Sequence, residues 1–184
     1  GGGNTKTIFT TRARSVTWSG LYWVATGVDP TRSVAVSPDG ITWTATATSP
    51  FSTGGYGVTW NGGKGSAYST PPALALGSGT SHTLAWSLDG GTNWIPLGKT
   101  VFTTAAYTAL WTGTYWLAGG EGTYALALSS NGTRWSGISP TPFTRCWGIA
   151  WNGSLFVAVG EGTTTIATSA DGLTWTAATG TGVF

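Results

Sequence analysis

Apolar residues alternate with small or hydroxylated ones in short runs, each closed by glycine, asparagine or aspartate. The pattern is plainest near the C-terminus. Gly148-Ile149-Ala150-Trp151 reads as a strand, and Asn152-Gly153 supplies a two-residue hairpin signal, because both central positions of such a turn take positive φ. Leu155–Val159 is a second strand, Gly160-Glu161-Gly162 a loop, Thr165–Ser169 a third strand, Ala170-Asp171-Gly172 a turn, and Leu173–Ala177 a fourth strand. Period-two alternation with small residues between predicts strands packed on both faces. Prolines fall mostly in loops or beside turns, where no ladder hydrogen bond is lost.

This unit recurs four times. SPDGITW (Ser37 to Trp43), SLDGGTNW (Ser87 to Trp94), SSNGTRW (Ser129 to Trp135) and SADGLTW (Ser169 to Trp175) are versions of one motif. A second set, ending in Trp-(Ser/Asn/Thr)-Gly, places tryptophans at 18, 60, 111 and 151. A period of about 40 residues with all-β texture is the signature of propeller blades. The expected fold is therefore a β-propeller of four tandem four-stranded antiparallel blades, about 9–50, 51–101, 102–142 and 143–184. Residues 1–8 are a candidate closing strand. The second unit is longer because its first hairpin connection, residues 61–72, is enlarged, either as a functional loop or as a tolerated insertion.

The S-x-D-G-x-T-W segments resemble the Asp-box, or BNR repeat, of sialidases, sortilin-like receptors and photosystem assembly factors. The resemblance covers nearly the whole chain. The second box has the standard glycine spacing, the others are one residue shorter, and the third carries Asn131 in place of aspartate. The motif's chemistry is structural: Asp39, Asp89, Asn131 and Asp171 accept hydrogen bonds from backbone N–H groups just downstream. A glycine takes the left-handed conformation that follows, and Trp43, Trp94, Trp135 and Trp175 cover the turns. The resemblance implies that the boxes lie on the face opposite a ligand site.

Only 8% of residues are charged, against about 25% in an average soluble domain, while glycine numbers 30. A surface carried by hydroxyls and amides suits an extracellular, cell-surface or viral setting. The net charge of +2 comes without a basic run, which excludes nucleic acid as the main partner. No apolar stretch approaches the roughly 18 residues a membrane helix needs. Cys146, the one cysteine, is expected to be a buried thiol. The chain has no methionine, position 1 included, so a processed product or an excised piece is expected.

The few charges sort onto two faces. Outside the boxes the acids are Asp29, Glu121 and Glu161, all in second-to-third-strand loops, the two glutamates in a repeated Gly-Glu-Gly-Thr. Lys6, Arg12, Lys99 and Arg145 lie in or beside the segments leading into first strands, Arg14 begins one, and Arg32 ends a loop on the same face. Lys64 and Arg134 fall opposite. Four residues before each first-strand tryptophan stand Arg14, Tyr56, Tyr107 and Trp147. With first strands innermost, these four ring one mouth of a central channel, either as blade-packing wedges or as a ligand platform. Aromatic plates beside a few charges suit carbohydrate, whose rings have apolar faces and hydroxyl edges.

The candidate binding set is Arg12, Arg14, Asp29, Tyr56, Tyr107, Glu121, Arg145, Trp147 and Glu161. The expected function is a non-catalytic recognition or assembly module that takes a glycan. The alternatives are a purely architectural, self-assembling repeat and a sialidase-like glycosidase. The last needs an arginine cluster, a Tyr–Glu pair such as Tyr107 with Glu121 or Glu161, and an acid such as Asp29. The early Phe-Arg-Ile-Pro motif of sialidases is missing, and their propellers have six blades. His82, the one histidine, has no cysteine or carboxylate set around it, so no metal and no cofactor are expected. The sequons at Asn131 and Asn152 sit in turns where the asparagines hold backbone. Phe9, Phe51, Phe102, Phe143 and Phe184 mark one phase of the repeat. Two closures follow: a ring of four blades in one chain, the expected monomer, or an eight-bladed ring of two chains.

Overall fold

A computed structural model describes residues 8–63 and 73–179. Lys6, Lys64, Phe184 and the candidate closing strand up to residue 7 lie outside them. The described residues form sixteen strands and no helix, all paired antiparallel. The first sheet is β1 (Arg12–Trp18), β2 (Trp23–Val28), β3 (Val34–Ser37) and β4 (Thr44–Ala45). The second is β5 (Gly54–Trp60), β6 (Ala73–Ser78), β7 (Leu84–Ser87) and β8 (Ile95–Pro96). Then come β9 (Ala105–Trp111), β10 (Trp116–Glu121), β11 (Leu126–Ser129) and β12 (Ser136–Gly137). The last are β13 (Phe143–Trp151), β14 (Phe156–Gly162), β15 (Ile166–Ser169) and β16 (Thr176–Ala177).

Each group is a meander in which consecutive strands pair, as short hairpin turns require. The third and fourth meanders join through one pairing, Glu121 with Arg145, into an eight-stranded sheet. The fourth strands are shorter than the alternation predicts. Residues 170–175 belong to the box turn, so only Thr176–Ala177 reaches the ladder.

The meanders pack through a repeated junction. Register aligns Val24, Val34 and Val36 of the first with Leu74, Leu84 and Trp86, with Leu117, Leu126 and Leu128, and with Val157, Ile166 and Thr168. These bulky positions form one face. The opposite face is small: Ala25 and Ala35, then Ala75 and Ala85, Ala118 and Ala127, Ala158 and Ala167, each pair beside its box tryptophan. At every junction bulky residues of one sheet enter a cluster with the alanines and tryptophan of the next. Val24 and Val34 meet Ala75, Ala85 and Trp94; Leu76 and Leu84 meet Ala118, Ala127 and Trp135; Leu117 and Leu126 meet Ala158, Ala167 and Trp175. Side chains of complementary volume close the gap at crystal-like density, and each fully buried leucine contributes roughly 1.5–3 kcal/mol.

First strands pack in sequence, β1 on β5, β5 on β9 and β9 on β13. Among the described residues no packing of that extent links β1 with β13, and closure into the expected ring of four is not seen. The outer faces are correspondingly open. Val16 is 57% exposed where its counterpart Val58 is 7%, and Val157 and Val159 are 37% and 42% exposed where Leu74, Leu76 and Leu117 are sealed.

Candidate functional site

Strands β1, β5, β9 and β13 each carry a β-bulge at one repeat position. The register skips one residue against the partner strand, and the skipped residue is Arg14, Tyr56, Tyr107 or Trp147. A bulge inserts an unpaired residue and re-aims its side chain. The four bulged side chains line one cavity of about 330 Å³. Each is in contact with the next along a row. The Arg14 guanidinium stands 5.5 Å from the Tyr56 ring centre, Tyr56 stacks on Tyr107 at 5.5 Å, and Tyr107 meets Trp147 at 4.4 Å.

One end of the row is polar. Arg145 donates to both oxygens of Glu121 at 2.7 Å and to Glu161 at 3.0 Å, and lies 5.0 Å over the Trp147 ring. The Trp147 indole donates to the other oxygen of Glu161 at 3.1 Å, and the Tyr107 hydroxyl donates to Glu121 at 2.8 Å. The guanidinium's bidentate grip, with help from Tyr107 and against some burial, holds Glu121 below the usual carboxylate range. Burial first, and the bond to Glu121 second, push Tyr107 above the usual tyrosine range, so it stays a neutral donor. Glu121 first, and Glu161 with it, holds Arg145 charged. At the other end, the Tyr56 hydroxyl bonds Ser78 at 2.8 Å.

Of the nine candidates the structure gathers seven: Arg14, Tyr56, Tyr107, Glu121, Arg145, Trp147 and Glu161. Asp29 is not among them. It is 2% exposed and accepts from the backbone N–H groups of Thr10, Thr31 and Arg32 and from the Thr31 hydroxyl. The Thr31 and Thr10 bonds outweigh burial and hold it well below the carboxylate range. It ties the segment before β1 to a loop, a structural duty in place of the expected binding one. Arg12 is exposed at the start of β1 and lines no part of the cavity. The sequence placed the four bulged positions in register but gave little sign of the bulges. Only the glycines beside Tyr56 and Trp147 hinted at irregular pairing.

Cys146 is sealed between strands, its thiol pushed up to about 12 by burial. His82 accepts from the Gly98 N–H at 3.2 Å, a loop-holding role. Among the described residues no cluster of three or more His, Cys, Asp or Glu is placed to hold a metal, and no helix is long and apolar enough to cross a membrane.

The boxes lie on the far face. Asp39 Oδ1 accepts from the N–H groups of Ile41 and Thr42 at 2.8 Å, Ser37 ties Asp39 to Gly40, and the Trp43 indole closes the turn on the Gly40 carbonyl. The same bonds recur around Asp89, Asn131 and Asp171, with one residue more at Asp89. The donors sit two to four residues downstream, a little further than expected. Gly40, at φ 75°, makes the turn possible. Boxes also brace their neighbours: Ser19 donates to the Gly90 carbonyl at 2.8 Å, and Tyr115 to the Asp171 carbonyl at 3.0 Å. Asp89→Ala is expected to destabilise by about 1–2 kcal/mol, since the Thr92 and Asn93 donors lose their acceptor. Asp171→Ala should lower the melting temperature too. Both should leave affinity at the aromatic row unchanged; calorimetry that finds full stability with lost binding would reverse the two faces.

No known family model matches this chain, and no curated protein does. Among solved structures it is similar to the GH74 enzyme of Niastella koreensis at 16% identity, over 93% of this chain and 32% of that one, with a TM-score of 0.44. It is also similar to a candidate 6-phosphogluconolactonase of Bacteroides uniformis at 16% identity, over 85% of this chain and 50% of that one, with a TM-score of 0.51. The chain thus spans about a third and a half of these relatives' lengths. The second likeness supports the all-β antiparallel fold.

Proposed function

We propose that this chain is an arc of Asp-box propeller blades that recognises carbohydrate without transforming it. The observation that carries the proposal is the row of four β-bulges in one register, which turn Arg14, Tyr56, Tyr107 and Trp147 onto a shared cavity. Each bulge lifts one side chain out of the ladder and turns it towards the cavity. Three aromatic plates offer apolar faces to pyranose rings, while Glu161, Arg145 and Arg14 offer acceptors and donors to hydroxyl edges. A hydroxyl-rich surface with 8% charged residues supports an extracellular, cell-surface or viral setting.

Catalysis by the Tyr–Glu route needs a tyrosine that ionises and a carboxylate free to take its proton. The Tyr107–Glu121 contact of 2.8 Å favours that second reading. Against it, Glu121 is held by Arg145, Tyr107 is held neutral, and the acid Asp29 is buried among backbone donors. Release of fluorophore from an aryl sialoside, abolished in Tyr107→Phe, would establish the hydrolase instead.

A glycan array followed by titration calorimetry tests the proposal. Trp147→Ala and Tyr107→Ala are each expected to weaken binding by about 1–3 kcal/mol, the scale of buried aromatic anchors. Arg134→Ala, whose N–H belongs to the third box, should change nothing. An array without hits, or affinity carried by Arg134, sinks the carbohydrate reading.

A further inference from the structure

Among the described residues the series of junctions leaves one unused half at each side. The first sheet presents an alanine floor: Ala25, with Trp43, Val16, Phe9 and Ile8, lines an open apolar cavity of about 530 Å³. These positions repeat those of Ala75, Trp94, Val58 and Phe51, which are filled by Val24 and Val34 of the preceding sheet. The fourth sheet presents the matching knobs, Val157, Val159, Ile166 and Thr168. They repeat Leu117 and Leu126, which are buried on the alanines of the next sheet. Socket and knobs are thus the two halves of an interface that this chain already makes three times.

We propose that a second copy of this chain covers both faces, the knobs of each copy entering the socket of the other, so that two arcs close one ring. The occupant is identified by continuity with the internal junctions: what fits a socket lined by Ala25, Val16 and Trp43 is a Val-Val-Ile face from the same repeat. Contacts between unlike faces close when the rotation returns to its start, and two copies of a half ring would return it. The solved structure matched over 85% of this chain is matched over only half of its own length, as a half ring would be. An exposed apolar face of this size, left uncovered, favours association. Closure also extends the aromatic row, setting Trp147 of one copy towards Arg14 of the other, as Arg145 already lies over Trp147 within one chain.

Sedimentation equilibrium on the chain at micromolar concentration decides the matter. The expected mass is twice 18.8 kDa. Val159→Lys in the knobs and Val16→Lys in the socket, both at exposed positions, should each return the mass to 18.8 kDa while the far-ultraviolet circular dichroism stays unchanged. Ile95→Lys, on the exposed outer strand β8, should keep the doubled mass. If one lysine variant fails to fold, the other carries the test, because knobs and socket lie on different sheets. A wild-type mass of 18.8 kDa overturns the proposal and shows that the faces stay open or are covered by the chain's own remaining segments. A series of larger species overturns the two-copy ring in favour of an open filament. Glycan binding by a monomer would leave the proposed function standing and this inference refuted.

Discussion

Phe102→Ala is expected to destabilise the protein by about 3–5 kcal/mol, the usual range for emptying a buried phenylalanine site. In a chain of this size that lowers the melting temperature by roughly 6–20 °C. Phe102 is fully sealed, in one cluster with Leu76, Leu84, Ala106, Ala118 and Ala127. Its ring lies against Gly120, where an added Cβ would stand 2.5 Å from Phe102 Cδ1 and 2.5 Å from the Ala105 carbonyl. Phe9, Phe51 and Phe143 repeat the arrangement over Gly27, Gly77 and Gly160. The ring cannot be replaced by collapse of its surroundings, because strands on both sides are fixed by ladders, so the cavity stays. Phe9→Ala, at the open end of the arc, should cost clearly less. Equal losses for the two in urea unfolding would mean that the first sheet is as enclosed as the third, which the exposed Val16 contradicts.

Stability is also expected to fall steeply as pH drops from about 5 towards 2. Five of the six carboxylates sit below their ordinary values. Thr42 and Ile41 N–H groups hold Asp39 at about 2, and Thr174 and Leu173 hold Asp171 at about 2. At Asp89 burial pushes upward, but Asn93 and its neighbours win and leave it at about 2. Asp29 and Glu121 lie low for the reasons given above. A folded-state value below the unfolded one means that the unfolded chain takes up protons first. The stabilisation is complete above the unfolded values, near 4, and is lost as pH falls through the folded ones. Exposure and salt reduce the share of Asp39 and Asp171. Asn131 fills the same role in the third box without titrating, which makes Asp→Asn a fair control. Melting temperatures measured from pH 7 to pH 2 should therefore decline less in an Asp39→Asn, Asp89→Asn, Asp171→Asn variant than in the parent. Parallel curves would remove the boxes from the acid transition.

The recurrence of Ser-x-Asp-Gly-x-Thr-Trp determined the four meanders, the turn positions and the two faces, because all of these rest on chemistry within a few residues. Asp39 meets Thr42 whatever the rest of the chain does, and Asn152 accepts from the Ser154 and Leu155 N–H groups, although only Gly153, and not Asn152 as expected, takes positive φ in that turn. The same periodicity put Arg14, Tyr56, Tyr107 and Trp147 in one register, and so found the row. Tertiary structure decided what those residues do. Bulges arise where the inner strand must bend around its neighbours, and no single residue type encodes them. Glu121 and Arg145 come from neighbouring meanders, and the single strand pairing between these brings them together. Asp29, an acid in a loop by sequence, is sealed because Thr10 folds back over it. Closure was the least legible feature of all. It depends on the angle between neighbouring sheets summed over three junctions, a quantity that no local run of residues encodes.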